Sequence, residues 1–187
     1  MGFNVSPSLS FSNNVSYNYS NGALNKTTSY NYSARLGFNK YVQKKFDFNV
    51  SGGPAYTISG TSLQPENNNN GYSFRGYGGF NVYLPGKFQI GSDIDYQYRG
   101  KTKAFAETFS RSLVNASISK TVLKQDNLKF TVSGNDLLNQ NSGFSQNAYG
   151  STITRNTYTT IRRYFLFTIT WDFNKVGGGA PAAPAVK

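Results

Sequence analysis

The sequence predicts an all-β fold, an antiparallel transmembrane β-barrel, on three observations. The first is a two-residue rhythm at the start: Phe3, Val5, Leu9, Phe11, Val15, Tyr17 and Tyr19 hold odd positions, broken only by Pro7 and Asn13, while every even position from 4 to 20 is Asn or Ser. That period belongs to a strand with one apolar and one polar face. The second is length. Strands in water-soluble proteins run about 5–6 residues and a bilayer-crossing strand needs about 9–11, so this one is expected to span a membrane and project beyond it. The third is composition: aromatic residues make up 16% of the 187 residues, 14 Tyr and 15 Phe among them, yet hydrophobic residues reach only 37%. No run approaches the roughly 18 apolar residues of a transmembrane helix, which leaves a closed barrel as the way to satisfy the backbone in lipid.

The same period recurs along the chain and predicts eight strands. After residues 3–20, the segment 30–41 sets Tyr30, Tyr32, Ala34, Leu36 and Phe38 against Asn31, Ser33, Arg35 and Asn39. Residues 46–59 set Phe48, Val50, Tyr56 and Ile58 against Asp47, Asn49, Ser51 and Thr57. Residues 72–84 oppose Phe74, Phe80 and Val82 to Ser73, Arg75 and Asn81, and residues 88–99 oppose Ile90, Ile94, Tyr96 and Tyr98 to Gln89, Asp93, Asp95 and Arg99. A sixth strand over 109–123 has its apolar face at Val114, Ala116, Ile118 and Val122, and a short seventh covers 128–133. The eighth, 157–174, ends in Phe165, Phe167, Ile169, Trp171 and Phe173 with Thr168, Thr170, Asp172 and Asn174 between them.

Connections alternate. Those at 42–45, 85–87 and 124–127 are tight; those at 21–29, 60–71, 100–106 and 134–156 are long. Short turns on one rim and long loops on the other is the asymmetry of outer-membrane barrels, and an even strand number places both termini on the periplasmic rim. Residues 1–175 are the barrel portion, while 176–187, rich in Gly, Pro and Ala, read as a flexible tail. Met1-Gly2 leads into the first strand without a charged and apolar leader, so the chain is expected to be a mature or excised piece.

The polar face carries small side chains: Ser6, Ser8, Ser10 and Ser12, then Ser51, Gly53 and Ala55, then Ser117 and Ser119. An isolated eight-stranded barrel has an interior that side chains fill. Small residues fill it poorly, which favours an arc of a wider barrel, with a barrel closed by these strands alone as the alternative. Aromatic residues gather toward both strand ends. Tyr17, Tyr19, Tyr30, Tyr32, Tyr96 and Tyr98 lie toward the long loops and Trp171 and Phe173 toward the turns, as in a pair of interfacial girdles.

Cysteine and histidine are both absent. That removes disulfides, thiolate metal sites, imidazole catalysis and Ser-His pairs, so neither enzyme activity nor a cofactor is expected. Asp93 and Asp95 share one face with Arg99, and Arg35 and Arg75 lie on the same face of neighbouring strands, which predicts ion pairing within the lumen. The formal charge is +11, but no recognition-helix pattern accompanies it, and membrane phosphates rather than nucleic acid are the expected counter-charge. Lys101, Lys103, Arg111, Arg155, Arg162 and Arg163 lie toward the loops and are candidate contacts to lipopolysaccharide phosphates, with rim solvation as the plain alternative. The Asn-x-Ser/Thr triplets follow automatically from alternating Asn and Ser and carry no assigned function.

The run Val132-Ser-Gly-Asn-Asp-Leu-Leu-Asn-Gln-Asn141, then Gly143-Phe144-Ser145, then Arg162-Arg-Tyr-Phe-Leu-Phe-Thr-Ile-Thr-Trp-Asp-Phe-Asn174, resembles the end of outer-membrane β-barrel proteins related to TonB-dependent receptors. The turn Tyr83-Leu-Pro-Gly-Lys-Phe88 and the strand Val114-Asn-Ala-Ser-Ile-Ser-Lys120 are similar to that family as well. The resemblance implies a wider barrel with a plug and a TonB-contacting segment, and energised uptake of a large nutrient. Neither plug nor TonB-contacting segment is recognisable in this sequence, so the expected role is the C-terminal wall of such an importer, partnered by the rest of the barrel or by a lipoprotein. A self-contained structural or adhesive barrel is the alternative.

Overall fold

The structure is a computed structural model that describes residues 3–65, 69–103, 105–149 and 152–173, with backbone alone for 144–149, 152, 153 and 155. Its strands are β1 (Asn4–Ser20), β2 (Ala23–Val42), β3 (Phe46–Thr61), β4 (Gly71–Leu84), β5 (Phe88–Arg99), β6 (Phe109–Val122), β7 (Leu128–Asn135), β8 (Phe144–Tyr149), β9 (Thr152–Thr157) and β10 (Tyr164–Trp171). Eight of them form one sheet in the order β1-β2-β3-β4-β5-β6-β7-β10, and β8 and β9 pair separately. Every ladder is antiparallel. No helix is long and apolar enough to cross a membrane.

Each ladder keeps a single register from end to end, so a face assigned on one strand propagates across the sheet. One row runs Val5, Phe38, Val50, Gly78, Ile94 and Val114 across six strands. A neighbouring row on the opposite face runs Asn4, Asn39, Asn49, Gly79, Asp93 and Asn115. The alternation expected strand by strand is thus in phase over the whole sheet. On the apolar face Leu9 is 88% exposed, Phe165 68% and Ile169 59%, whereas Phe105, in a loop, is the buried large hydrophobic among the described residues. Among the described residues no apolar core buries this face. A surface of that extent requires a non-aqueous partner, and the bilayer supplies it.

Three features differ from the sequence expectation. The connection over 21–29 is a two-residue turn, Asn21-Gly22, with φ of 50° and 77°. Two positive φ values define the type I′ hairpin turn that Asn-Gly favours, and β2 therefore starts at Ala23. The long connection after β7 contains the β8–β9 hairpin, and the last strand starts at Tyr164 rather than residue 157. Finally, the sheet is open. Among the described residues β1 pairs with β2 alone and β10 with β7 alone, so the expected alternative of closure by these strands alone is not what the structure adopts. Asn174 and the tail 176–187 lie outside the described residues.

The short rim is tied together. Lys45 N donates to Val42 O at 3.0 Å, and Lys87 Nζ donates to Leu123 O at 3.1 Å and pairs with Asp126, linking the β4–β5 turn to the β6–β7 turn. Both ends of that ion pair are about half exposed, so it contributes little stability.

Candidate functional site

The polar face divides into two zones. Its loop-side half is built on one row of the sheet: Ser8 faces Arg35, Gly53 faces Arg75, Arg75 faces Gln97 and Gln97 faces Arg111. Arg35 and Gly53 fall opposite one another by register, between the pairs Ser33–Ala55 and Leu36–Gly52. There the bridging is interrupted, because Pro54 has no N–H to donate. Arg99 lies one step further toward the loops, opposite Ser73 and Phe109.

The four arginines, Gly53, Ser73, Gln97 and Phe109 line a cavity of about 620 Å³ that also borders Tyr98 and Tyr158. Arg35 donates to Ser51 Oγ at 2.8 Å and Arg111 to Gln97 Oε1 at 3.2 Å. The Arg99 guanidinium lies 4.1 Å from the Phe105 ring centroid and 5.9 Å from that of Phe109. Phe105 is held there by its loop, in which Thr102 N donates to Phe105 O and Phe105 N to Thr102 O.

The turn-side half carries the carboxylates, of which Asp47 and Asp93 line a smaller cavity of about 310 Å³. Asp47 accepts from Asn81 Nδ2 at 3.0 Å and from the Tyr83 hydroxyl at 3.2 Å, and Asp93 accepts from Asn115 Nδ2 at 2.8 Å. Asp95 accepts from Gln97 Nε2 at 3.1 Å. The structure therefore puts Arg35, Arg75, Asp93, Asp95 and Arg99 on one face, but the lumen ion pairs expected among them differ. Among the described residues Asp93 and Asp95 are held by amides, and Arg35 and Arg75 have no carboxylate partner. Register explains it: the acids sit on rows nearer the turns than the arginines.

On the opposite face, Phe11, Tyr32, Tyr56 and Tyr72 form one aromatic row. Phe11 lies 5.1 Å from Tyr32 and 6.4 Å from Tyr30, Tyr72 lies 6.3 Å from Tyr98, and Phe74 lies 6.1 Å from Tyr96. Toward the turns, Trp171 and Phe173 stack at 5.0 Å, and Lys40 and Lys120 place their ammonium groups 4.3 and 4.6 Å over Phe3 and Phe88. From Phe3 to Phe11 is about 27 Å along the strand, which a barrel tilt of about 35–45° reduces to about 20 Å across the bilayer, within an apolar band of about 25 Å. Tyr17 and Tyr19 also occupy the apolar face but lie about 20 Å and more beyond Phe11 along β1, near the hairpin tip.

Lys101 and Lys103 are exposed in the β5–β6 connection, and Arg162 and Arg163 are exposed just before β10. Arg163 binds the preceding loop through Asn139 Oδ1 and Leu137 O. Arg155 lies in β9, paired with Gln146, and its side chain is outside the described residues. The 132–141 motif is structural. Asp136, 5% exposed, accepts from Gln140 N and Asn141 N at 2.9 Å each, while its own N–H donates to Asn115 Oδ1. No group of acidic residues that could hold a metal occurs among the described residues.

Sequence reasoning assigned Arg111 to the loop-side basic residues and did not join it to Arg35 and Arg75. The signal was its odd position in β6, in phase with Asn115 and Ser117. It also missed Gln97, Phe105 and Phe109.

Residues 2–171 match the family model described as an outer membrane protein beta-barrel family. No curated protein and no solved structure matches the chain. The chain belongs to that outer-membrane β-barrel family.

Proposed function

We propose that this outer-membrane barrel protein forms lumen wall and substrate-facing loops of a TonB-dependent-receptor-like nutrient importer in the bacterial outer membrane. Its chain ends lie at the periplasmic rim and its long loops lie outside. The observation that carries the reading is an open eight-stranded sheet whose polar face leaves cavities of about 620 and 310 Å³ unfilled by its own side chains. Eight strands closed on themselves enclose a space that side chains fill. A face this empty suits a wider barrel, in which β1 and β10 pair with further strands, and unpaired edges of this kind are otherwise aggregation sites. The wall's role is passive, binding and guiding solute without catalysis. At the loop rim, Lys101, Lys103, Arg155, Arg162 and Arg163 meet lipopolysaccharide phosphates.

Orientation and closure are tested separately. With impermeant thiol reagents on intact cells, Lys103→Cys is expected to label and Gly86→Cys is not; equal labelling would overturn the orientation. Refolded in detergent, these strands alone are expected to associate through their edges. A monodisperse, heat-stable monomer would instead support the small structural barrel.

A further inference from the structure

We infer that the arginine-lined half of the polar face is a binding site for a polyanionic solute, one bearing at least two phosphate or carboxylate groups. This rests on the polar face being a wet lumen, and not on how import is energised. Arg35, Arg75 and Arg111 fall on one row at alternate strands, which spaces their backbones about 10 Å apart. The intervening positions are Gly53, which has no side chain, and Gln97, so the guanidinium groups face a shared cavity of about 620 Å³. Guanidinium does not lose its proton, and several of them in one recess repel each other unless an anion intervenes.

Among the described residues no carboxylate pairs with Arg35, Arg75 or Arg111. Arg35 spends one N–H on Ser51 and Arg111 one on Gln97, and the buried Nε of Arg111 has no partner. Asp95, two residues from Gln97 on the same face of β5, accepts from the amide of Gln97, whose oxygen in turn accepts from Arg111, which leaves the other terminal donors of Arg111 available. Phe109 flanks Arg111 at 6.0 Å and Phe105 covers Arg99 at 4.1 Å, and guanidinium is the side-chain group suited to bidentate contact with oxyanions. The carboxylates stand apart in the turn-side zone, held by Asn81, Tyr83 and Asn115. A second anionic group gains a second arginine, so multivalent anions are preferred over monovalent ones.

The test is calorimetric titration of the intact barrel that contains these strands, purified in detergent from outer membranes, with sodium tripolyphosphate, with acetate as the monovalent reference. Saturable binding of tripolyphosphate that weakens with salt is expected, with acetate undetected. Arg75→Gln should weaken it about tenfold, the loss of one charge-assisted contact, and the triple variant Arg35→Gln, Arg75→Gln, Arg111→Gln should abolish it. Gln97→Glu, which keeps every arginine and adds a carboxylate to the row, should weaken it comparably, and covers the case in which arginine removal impairs folding. Lys124→Gln on the opposite rim should leave it unchanged. Equal binding by wild type and by Gln97→Glu, or equal loss in Lys124→Gln, would overturn the site. Displacement of tripolyphosphate by lipopolysaccharide micelles would assign the anion to lipid and overturn the solute reading. Absent binding alongside the expected Lys103→Cys labelling would defeat the anion site while leaving the lumen reading standing.

Discussion

Gly53 shows how tightly single positions are constrained on the polar face. A Cβ built there would lie 1.8 Å from the Ala34 carbonyl oxygen and 2.8 Å from Arg35 Cα, whereas at Gly60 it would meet nothing within 4 Å. Backbone cannot yield as a flexible side chain can. Gly53→Ala is therefore expected to cost about 1–3 kcal/mol, in the range of overpacking, while Gly60→Ala stays near neutral; urea unfolding monitored by heat-modifiability reads the difference. A second residue-scale prediction separates the faces. Phe167 faces Val132 on the apolar side and Thr168 faces Thr131 on the polar side. Phe167→Arg should cost about 2–4 kcal/mol of folding free energy in lipid and Thr168→Arg little, measured as folded fraction in vesicles; comparable losses would mean the faces are reversed.

At the scale of elements, the connections are held by specific turn and loop chemistry. Asp136 anchors the 136–141 loop by accepting two backbone amides. Asp136→Ala leaves both amides without that partner and should cost about 1–3 kcal/mol, with the loop becoming the first site of proteolytic cleavage. Legibility in the sequence followed the solvent on each side of a strand. Between Phe46 and Arg99 one face meets lipid and the other water, so a period of two is written into the residues, and strand boundaries there agreed to within about two residues. Residues 23–29 read as loop because they lie toward the projecting tip of the β1–β2 hairpin, where polar residues suit both faces and alternation fades. Asn21-Gly22 alone carried the turn. The β8–β9 hairpin was hidden for the same reason. The arginine row was not legible as a unit, since its members come from β2, β4 and β6 and meet only once the register of four ladders is known.

At the scale of the whole molecule, the distribution of surfaces is inverted relative to a water-soluble sheet protein. Large hydrophobics are exposed along all eight strands of the sheet, and the fully buried side chain among the described residues is Asn25, clasped between Asn18, Ser62 and Leu63 near the hairpin tip. Lipid on one face and water on the other is the environment that satisfies both. On the polar face the charges are sorted along the strands, with arginines toward the loops and the amide-bound Asp47, Asp93 and Asp95 toward the turns. The central claim, that one phase of alternation faces lipid across the sheet, is tested most directly by spin-label accessibility along β3. Labels placed singly at each residue from 46 to 58, in the protein reconstituted into vesicles, should show oxygen accessibility peaking at the even positions, Phe48, Val50 and Tyr56 among them. Accessibility to a water-soluble nickel chelate should peak at Asn49, Ser51 and Thr57. Profiles without a two-residue period, or nickel accessibility at both phases, would contradict the account.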